Sequence, residues 1–167
     1  MMDYKLLNEE LKEIIRGVEY DITNYANASA LLFDNLTDIN WAGFYLFKDE
    51  YLYLGPFQGK VACTKIKVGS GVCGTAVKEK RTIIVDNVHE FKGHIACDSS
   101  SNSEIVIPMF KDDEIIGVLD IDSPKFSRFT IKDKEGLEEF VKILMNYKIQ
   151  KNICWQIYSI RVKYLRK

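Results

Sequence analysis

A chain of 167 residues, 47% hydrophobic and 28% charged, is sized for one globular domain with an ample core, which excludes a disordered or disulfide-dense scaffold. Its 23 basic and 24 acidic residues leave a net charge of -1, so no long-range field recommends nucleic acid or a membrane as partner. Met1 to Glu10 lacks the basic start and apolar run of a secretion signal, and no segment is long and apolar enough to span a bilayer. A cytoplasmic protein with reduced thiols is expected.

In chain order, apolar or small residues at Leu7, Leu11, Ile14, Val18, Ile22, Tyr25, Ser29, Leu32 and Leu36 recur at steps of three and four. That spacing predicts one long amphipathic helix, whose wide apolar stripe suggests a homodimer surface. From Asn40 the period changes. WAGFYLF and YLYLGPF, divided by the polar turn Lys48-Asp49-Glu50, predict a two-stranded hairpin, and Val61 to Val68 a shorter third strand.

GSGVCGTAVKEKR then predicts a turn feeding a short helix, and RTIIVD a strand. Asp86 to Ser103 has no period and is rich in Ser, Asn, Asp and Gly, which makes it a loop longer than compact domains usually carry and a candidate for function. EIVIPMF and EIIGVLDID flank Lys111-Asp112-Asp113 as a second hairpin. Thr130, with Asp133 three residues on, forms a capping-box pattern for a closing helix that buries Leu137, Phe140, Val141 and Leu144. The order implies an α+β fold, a central antiparallel sheet flanked by N- and C-terminal helices with a loop-covered ligand pocket. Residues 1–147 read as one domain. Residues 148–167 read as a basic C-terminal extension with six Lys or Arg and no acid.

Strand alternation names the residues that share a face. Trp41, Gly43 and Tyr45 lie together, as do Glu104, Val106 and Pro108, and again Val118, Asp120 and Asp122. Ile105, Ile107, Leu119 and Ile121 point the other way, into the core. The aromatic and acidic set is left for a pocket beneath the long loop. Asp120 and Asp122 are expected roughly 6.5 to 7 Å apart along their strand, with no Lys, Arg or His on that strand to compensate them. Closed off from water, at least one such carboxyl has a raised pKa and can donate a proton.

Four cysteines stand at 63, 73, 97 and 154. Cys63 ends a strand, Cys73 sits near a helix N-terminus that would favour its thiolate, and Cys97 lies in the long loop, where His94 or a main-chain amide could activate it. Cys154 falls on an apolar stretch of the tail. Zinc held by Cys63, Cys73, His94 and Cys97 is disfavoured, because there is no Cys-x2-Cys knuckle and the ligands come from three segments. No metal and no cofactor are expected. The glycines of GSGVCG lack the trailing Lys-Ser/Thr of a phosphate-binding loop.

Together the strings NWAGFYLF, LGPFQGKVACTKIKVGSGVCGTA, HIACDSSSNSEIVIP and GVLDIDSPKFSRFT resemble the GAF-domain free methionine-(R)-sulfoxide reductases from about Asn35 to about Phe140. The trio Cys63, Cys73, Cys97 within them is the mark of the reductases among GAF domains. The resemblance implies a GAF fold and reduction of free methionine-(R)-sulfoxide. It further implies Cys97 as nucleophile, Cys63 as principal resolving cysteine, and Cys73 as a second thiol able to take over or extend the relay. Trp41 and Tyr45 would line the substrate's methyl pocket, and Glu104, Asp120 and Asp122 would hold the sulfoxide oxygen and the amino group. Thioredoxin is the implied reductant. That chemistry suits these residues, since attack on a sulfoxide sulfur needs the oxygen protonated. The alternative reading is a non-catalytic GAF module that senses a small ligand such as a nucleotide.

Overall fold

The computed structural model describes residues 2–93 and 98–147. Helices α1 (Tyr4–Ile14) and α2 (Asp21–Asn35) lead into strands β1 (Trp41–Lys48), β2 (Tyr51–Gly59) and β3 (Lys65–Lys67). Helix α3 (Gly71–Glu79), strand β4 (Ile83–Val85) and a 3-10 turn (Val88–Glu90) follow, then β5 (Ser103–Lys111), β6 (Glu114–Ser123) and helix α4 (Ile131–Asn146). The six strands form one antiparallel sheet in the order β3-β2-β1-β6-β5-β4.

The single N-terminal helix predicted from periodicity is two helices. Asp3 caps α1 by accepting from the backbone N–H groups of Lys5 and Leu6 at 3.0 and 3.1 Å. The helix ends because Gly17 adopts φ +74, a left-handed conformation that nearly every other residue avoids. The apolar period runs on across the break because α1 and α2 bury their stripes, Leu7 and Leu11 on one and Tyr25, Ala28 and Leu32 on the other, in the same core.

Both predicted hairpins close through two-residue turns, Asp49-Glu50 and Asp112-Asp113, with positive φ at all four residues. Lys48 pairs with Tyr51 and Lys111 with Glu114, the loop length of type I′ turns. The closing helix starts as its sequence predicts: the Thr130 hydroxyl accepts from the Asp133 N–H while the Asp133 carboxylate accepts from the Thr130 N–H.

Each face of the sheet has its own core. Ala42, Phe44, Ile105, Ile107, Met109, Leu119 and Ile121 pack against α1, α2 and α4. Across the sheet, Trp41, Tyr45, Val106 and Val118 pack against Val72, Cys73, Ala76 and Val77 of α3. The second face is thus covered over part of its area by a helix. Gly74 permits the fit, since a Cβ there would stand 2.4 Å from the Lys67 carbonyl oxygen. Beside the first turn of α3, at the end of the sheet where Trp41, Glu104 and Asp122 lie, the face opens into a pocket.

Candidate active site

Strand register assembles the pocket. Trp41 on β1 pairs with Asp122 on β6, and Asp122 pairs with Glu104 on β5, so three predicted site residues form one row across the sheet. In the adjacent row Asp120 lies between Gly43 and Val106. Gly43 is demanded by its neighbours: a Cβ there would stand 2.3 Å from the Phe57 Cβ and 2.7 Å from the Trp41 ring. The indole of Trp41 stacks between Tyr45 and Phe57, with centroids 5.8 and 5.2 Å away, and its Nε1 donates to the Lys60 carbonyl at 3.1 Å. Tyr45, also buried, donates its hydroxyl to the Cys63 carbonyl at 3.0 Å. This bond ties the segment before β3 to the middle of β1.

The lining also includes Val61, Ala62, Ile66, Gly71, Val72, Cys73, Asp98 and Ser101. None of the described lining residues is basic. Burial is therefore uncompensated, and it pushes the Glu104 carboxyl well above the ordinary glutamate range, with the charges of Asp120 and Asp122 adding to the effect. Burial likewise raises Asp120 to about 6, against the opposing bonds with Cys73 and Glu104. Asp122 keeps some exposure, yet burial and the Asp120 charge raise it well above its usual value. The expectation that at least one carboxyl on this face has a raised pKa agrees with the direction at all three.

The cysteines differ from one another. Cys63 is disulfide-bonded and Cys73 is a free thiol, so these two are not joined to each other. Cys73 sits in the first turn of α3, where the helix dipole favours a thiolate. The expected thiolate is nevertheless reversed. Complete burial, followed by the charges of Asp120 and Glu104, pushes this thiol well above its usual value. It donates instead to the Glu104 Oε1, 3.9 Å from the sulfur. Cys97, His94 and Cys154 lie outside the described residues, as does the basic extension 148–167.

Beside the pocket, Asp98 gathers a set of bonds. Its carboxylate accepts from the Ser100 N–H at 2.9 Å, from the Asn40 carboxamide at 3.2 Å and from Lys60 Nζ at 3.3 Å. The Ser100 backbone and hydroxyl contribute most to holding Asp98 down at about 2. The Asn40 carboxamide also reaches the buried hydroxyl of Ser101 at 3.0 Å.

Comparison with known proteins decides the family. A GAF domain model matches residues 25–145. The free methionine-R-sulfoxide reductase of Escherichia coli (strain K12) is 54% identical over 138 residues, spanning 83% of this chain and 84% of that protein. The chain belongs to the free methionine-R-sulfoxide reductases. A second relative is the free methionine-R-sulfoxide reductase of Saccharomyces cerevisiae, 47% identical over 131 residues, or 74% of this chain and 73% of that protein. The structure is also similar to that of fRMsr of Staphylococcus aureus in complex with substrate. That TM-score is 0.84, with 55% identity over 87% of this chain and 95% of the other.

Of the reductase residues singled out from sequence, Trp41, Tyr45, Cys73, Glu104, Asp120 and Asp122 converge on one pocket. The sequence reading passed over Asp98, Ser101, Asn40 and Lys60. A signal was present: Asp98 follows Cys97 directly and opens an Asp-Ser-Ser run suited to a turn, and Asn40 immediately precedes Trp41.

Proposed function

We propose that this protein reduces free L-methionine-(R)-S-oxide to L-methionine. The observation that carries the proposal is the pocket itself: stacked aromatics, four buried or half-buried acids and no described cation. Carboxylates pair with a free ammonium, which a methionine residue inside a protein lacks, while an aromatic wall accepts the S-methyl group.

In this reading Cys97 attacks the sulfoxide sulfur as a raised-pKa carboxyl protonates the oxygen. The oxygen passes to Cys97, giving a sulfenic acid and releasing methionine. Condensation with the Cys63 thiol expels water and forms a disulfide, with Cys73 as a second thiol able to extend the relay. Thioredoxin, a dithiol, takes up that oxidation and restores both thiols by exchange. A reducing cytoplasm suits a cycle that ends in free thiols. Among the described residues no helix is long and apolar enough to cross a membrane. Residues 1–147 would act as one GAF domain, with 148–167 as a basic extension. Ile14, Ile22 and Phe33, exposed on α1 and α2, support a homodimer.

The test is one assay of free methionine-R-sulfoxide against the S epimer and a peptide-bound form, with thioredoxin as reductant. Turnover confined to the free R epimer is the expected result. Tight nucleotide binding without methionine release would replace this reading with that of a ligand-sensing module.

A further inference from the structure

The deepest part of the pocket brings together a thiol and two carboxylates. One donor atom from each of Cys73, Glu104 and Asp120 lies within 4.8 Å of the other two, and all three residues are buried. The Cys73 sulfur is 3.9 Å from Glu104 Oε1. Asp120 is only 6% exposed, and its Oδ1 has no hydrogen-bond partner. A buried carboxylate oxygen without a donor is costly, and Asp120 belongs to a pocket whose described lining offers no positive charge. We propose that Cys73, Glu104 and Asp120 form a binding site for Zn2+, and that the ion occupies the space the substrate needs.

Charge and ligand type both favour this ion. A divalent cation offsets the mutual repulsion of Glu104, Asp120 and Asp122, which no positive charge among the described lining residues relieves. One sulfur with two oxygens selects a borderline metal over Mg2+ or Ca2+, which take oxygen alone. Zinc bonds of about 2.3 Å to sulfur and about 2.0–2.2 Å to oxygen put tetrahedral ligands roughly 3.5 Å apart. The three donors need only a small contraction to reach that spacing. Binding exchanges the Cys73 thiol proton, and any proton that Glu104 or Asp120 holds, for the metal, so one Zn–S bond forms as the S–H bond breaks and the displaced protons pass to solvent. The fourth position opens toward the pocket and is left to water. The metal would act as an inhibitor of the reductase. Binding stands on the three side chains alone, whereas inhibition rests on the proposed reductase activity.

The test uses the full chain carrying Cys63→Ser, Cys97→Ser and Cys154→Ser, so that Cys73 is the sole thiol, titrated with Cd2+ and with Zn2+. One ion per chain is expected, with an ultraviolet thiolate-to-cadmium charge-transfer band that Cys73→Ser abolishes. Asp120→Asn and Glu104→Gln should each weaken the affinity by about tenfold or more, with near-ultraviolet circular dichroism confirming the fold. No band, or an affinity untouched by both carboxylate substitutions, overturns the site. Free methionine sulfoxide should compete with the ion. Tight binding without competition upholds the metal site but overturns its overlap with the substrate's space, and with it the proposed inhibition.

Discussion

Asn40, the residue before Trp41, donates its carboxamide to Asp98, the residue after Cys97, at 3.2 Å. The bond joins the chain segment that supplies the pocket's aromatic wall to the one that supplies its proposed nucleophile. Both ends are anchored further: Ser100 and Lys60 also bond Asp98, and the Asn40 backbone N–H donates to the Asp122 carbonyl at 3.0 Å.

Removing that link should therefore cost activity. A hydrogen bond to a charged group contributes about 1.5–3 kcal/mol, and the three acceptors of the Asn40 carboxamide belong to Asp98, Ser100 and Ser101. Asn40→Ala is expected to lower kcat/KM for the sulfoxide by about tenfold or more. Lys60→Ala removes a highly exposed partner, and such ion pairs contribute about 0–1 kcal/mol. Steady-state kinetics on both variants should rank Asn40 well above Lys60.

The order of the thiols separates in a single-turnover experiment. Cys97→Ser should release no methionine, while Cys63→Ser should still release about one per chain before stalling, because oxygen transfer precedes disulfide formation. Repeated turnover by Cys97→Ser would give the nucleophile's role to another residue.

Asp120→Asn should move stability and activity in opposite directions. With a carboxyl raised to about 6, the folded state binds more protons than the unfolded one between the ordinary aspartate value near 4 and that figure. Stability is thus full in acid and declines as pH rises through this window. Relief of the buried charge at neutral pH should raise stability by about 1–3 kcal/mol, read as a higher denaturation midpoint. If the carboxyl serves as general acid, the thiol step should slow by roughly two to four orders of magnitude. A stabilised variant of unchanged rate would leave the acid with no part in the chemistry.

On the opposite face, Tyr4 of α1 lies flat on Gly136 of α4, where a Cβ would stand 2.1 Å from the ring. The Tyr4 hydroxyl donates to Asp133 at 2.7 Å. Gly136→Ala should destabilise by about 1–3 kcal/mol through overpacking. Tyr4→Phe keeps the ring and loses one hydrogen bond to a carboxylate, so about 1.5–3 kcal/mol is expected. Thermal unfolding of both variants tests whether the ring or its hydroxyl holds the two helices together.

Alternation made most of the site legible. Because side chains change face at every residue, Trp41, Tyr45, Glu104, Asp120 and Asp122 could be assigned to one side of the sheet before their strands were paired. Pairing itself is a long-range choice. The row Trp41–Asp122–Glu104 depends on three strands meeting in register, which no single segment encodes. The helix break at Gly17 leaves no mark in the periodicity, because packing keeps the apolar period in phase on both sides of it. Cys73 departs from its local signal for a related reason: the helix N-terminus that favours a thiolate is local, whereas the burial and the carboxylates of β5 and β6 that oppose it come from tertiary packing. The Asn40–Asp98 bond spans 58 positions, beyond any local pattern.

β1 and β6 run side by side from Trp41–Asp122 to Leu46–Gly117 without a bulge, whereas β1 against β2 and β5 against β6 each contain a register shift. Gaining or losing one residue within β6 would turn Leu119 and Ile121 toward Trp41 and drive Asp120 or Asp122 among Phe44 and Phe140. Stability and chemistry would fail at the same stroke. Along this pair of strands, descent can exchange one side chain for another, but it cannot change the count.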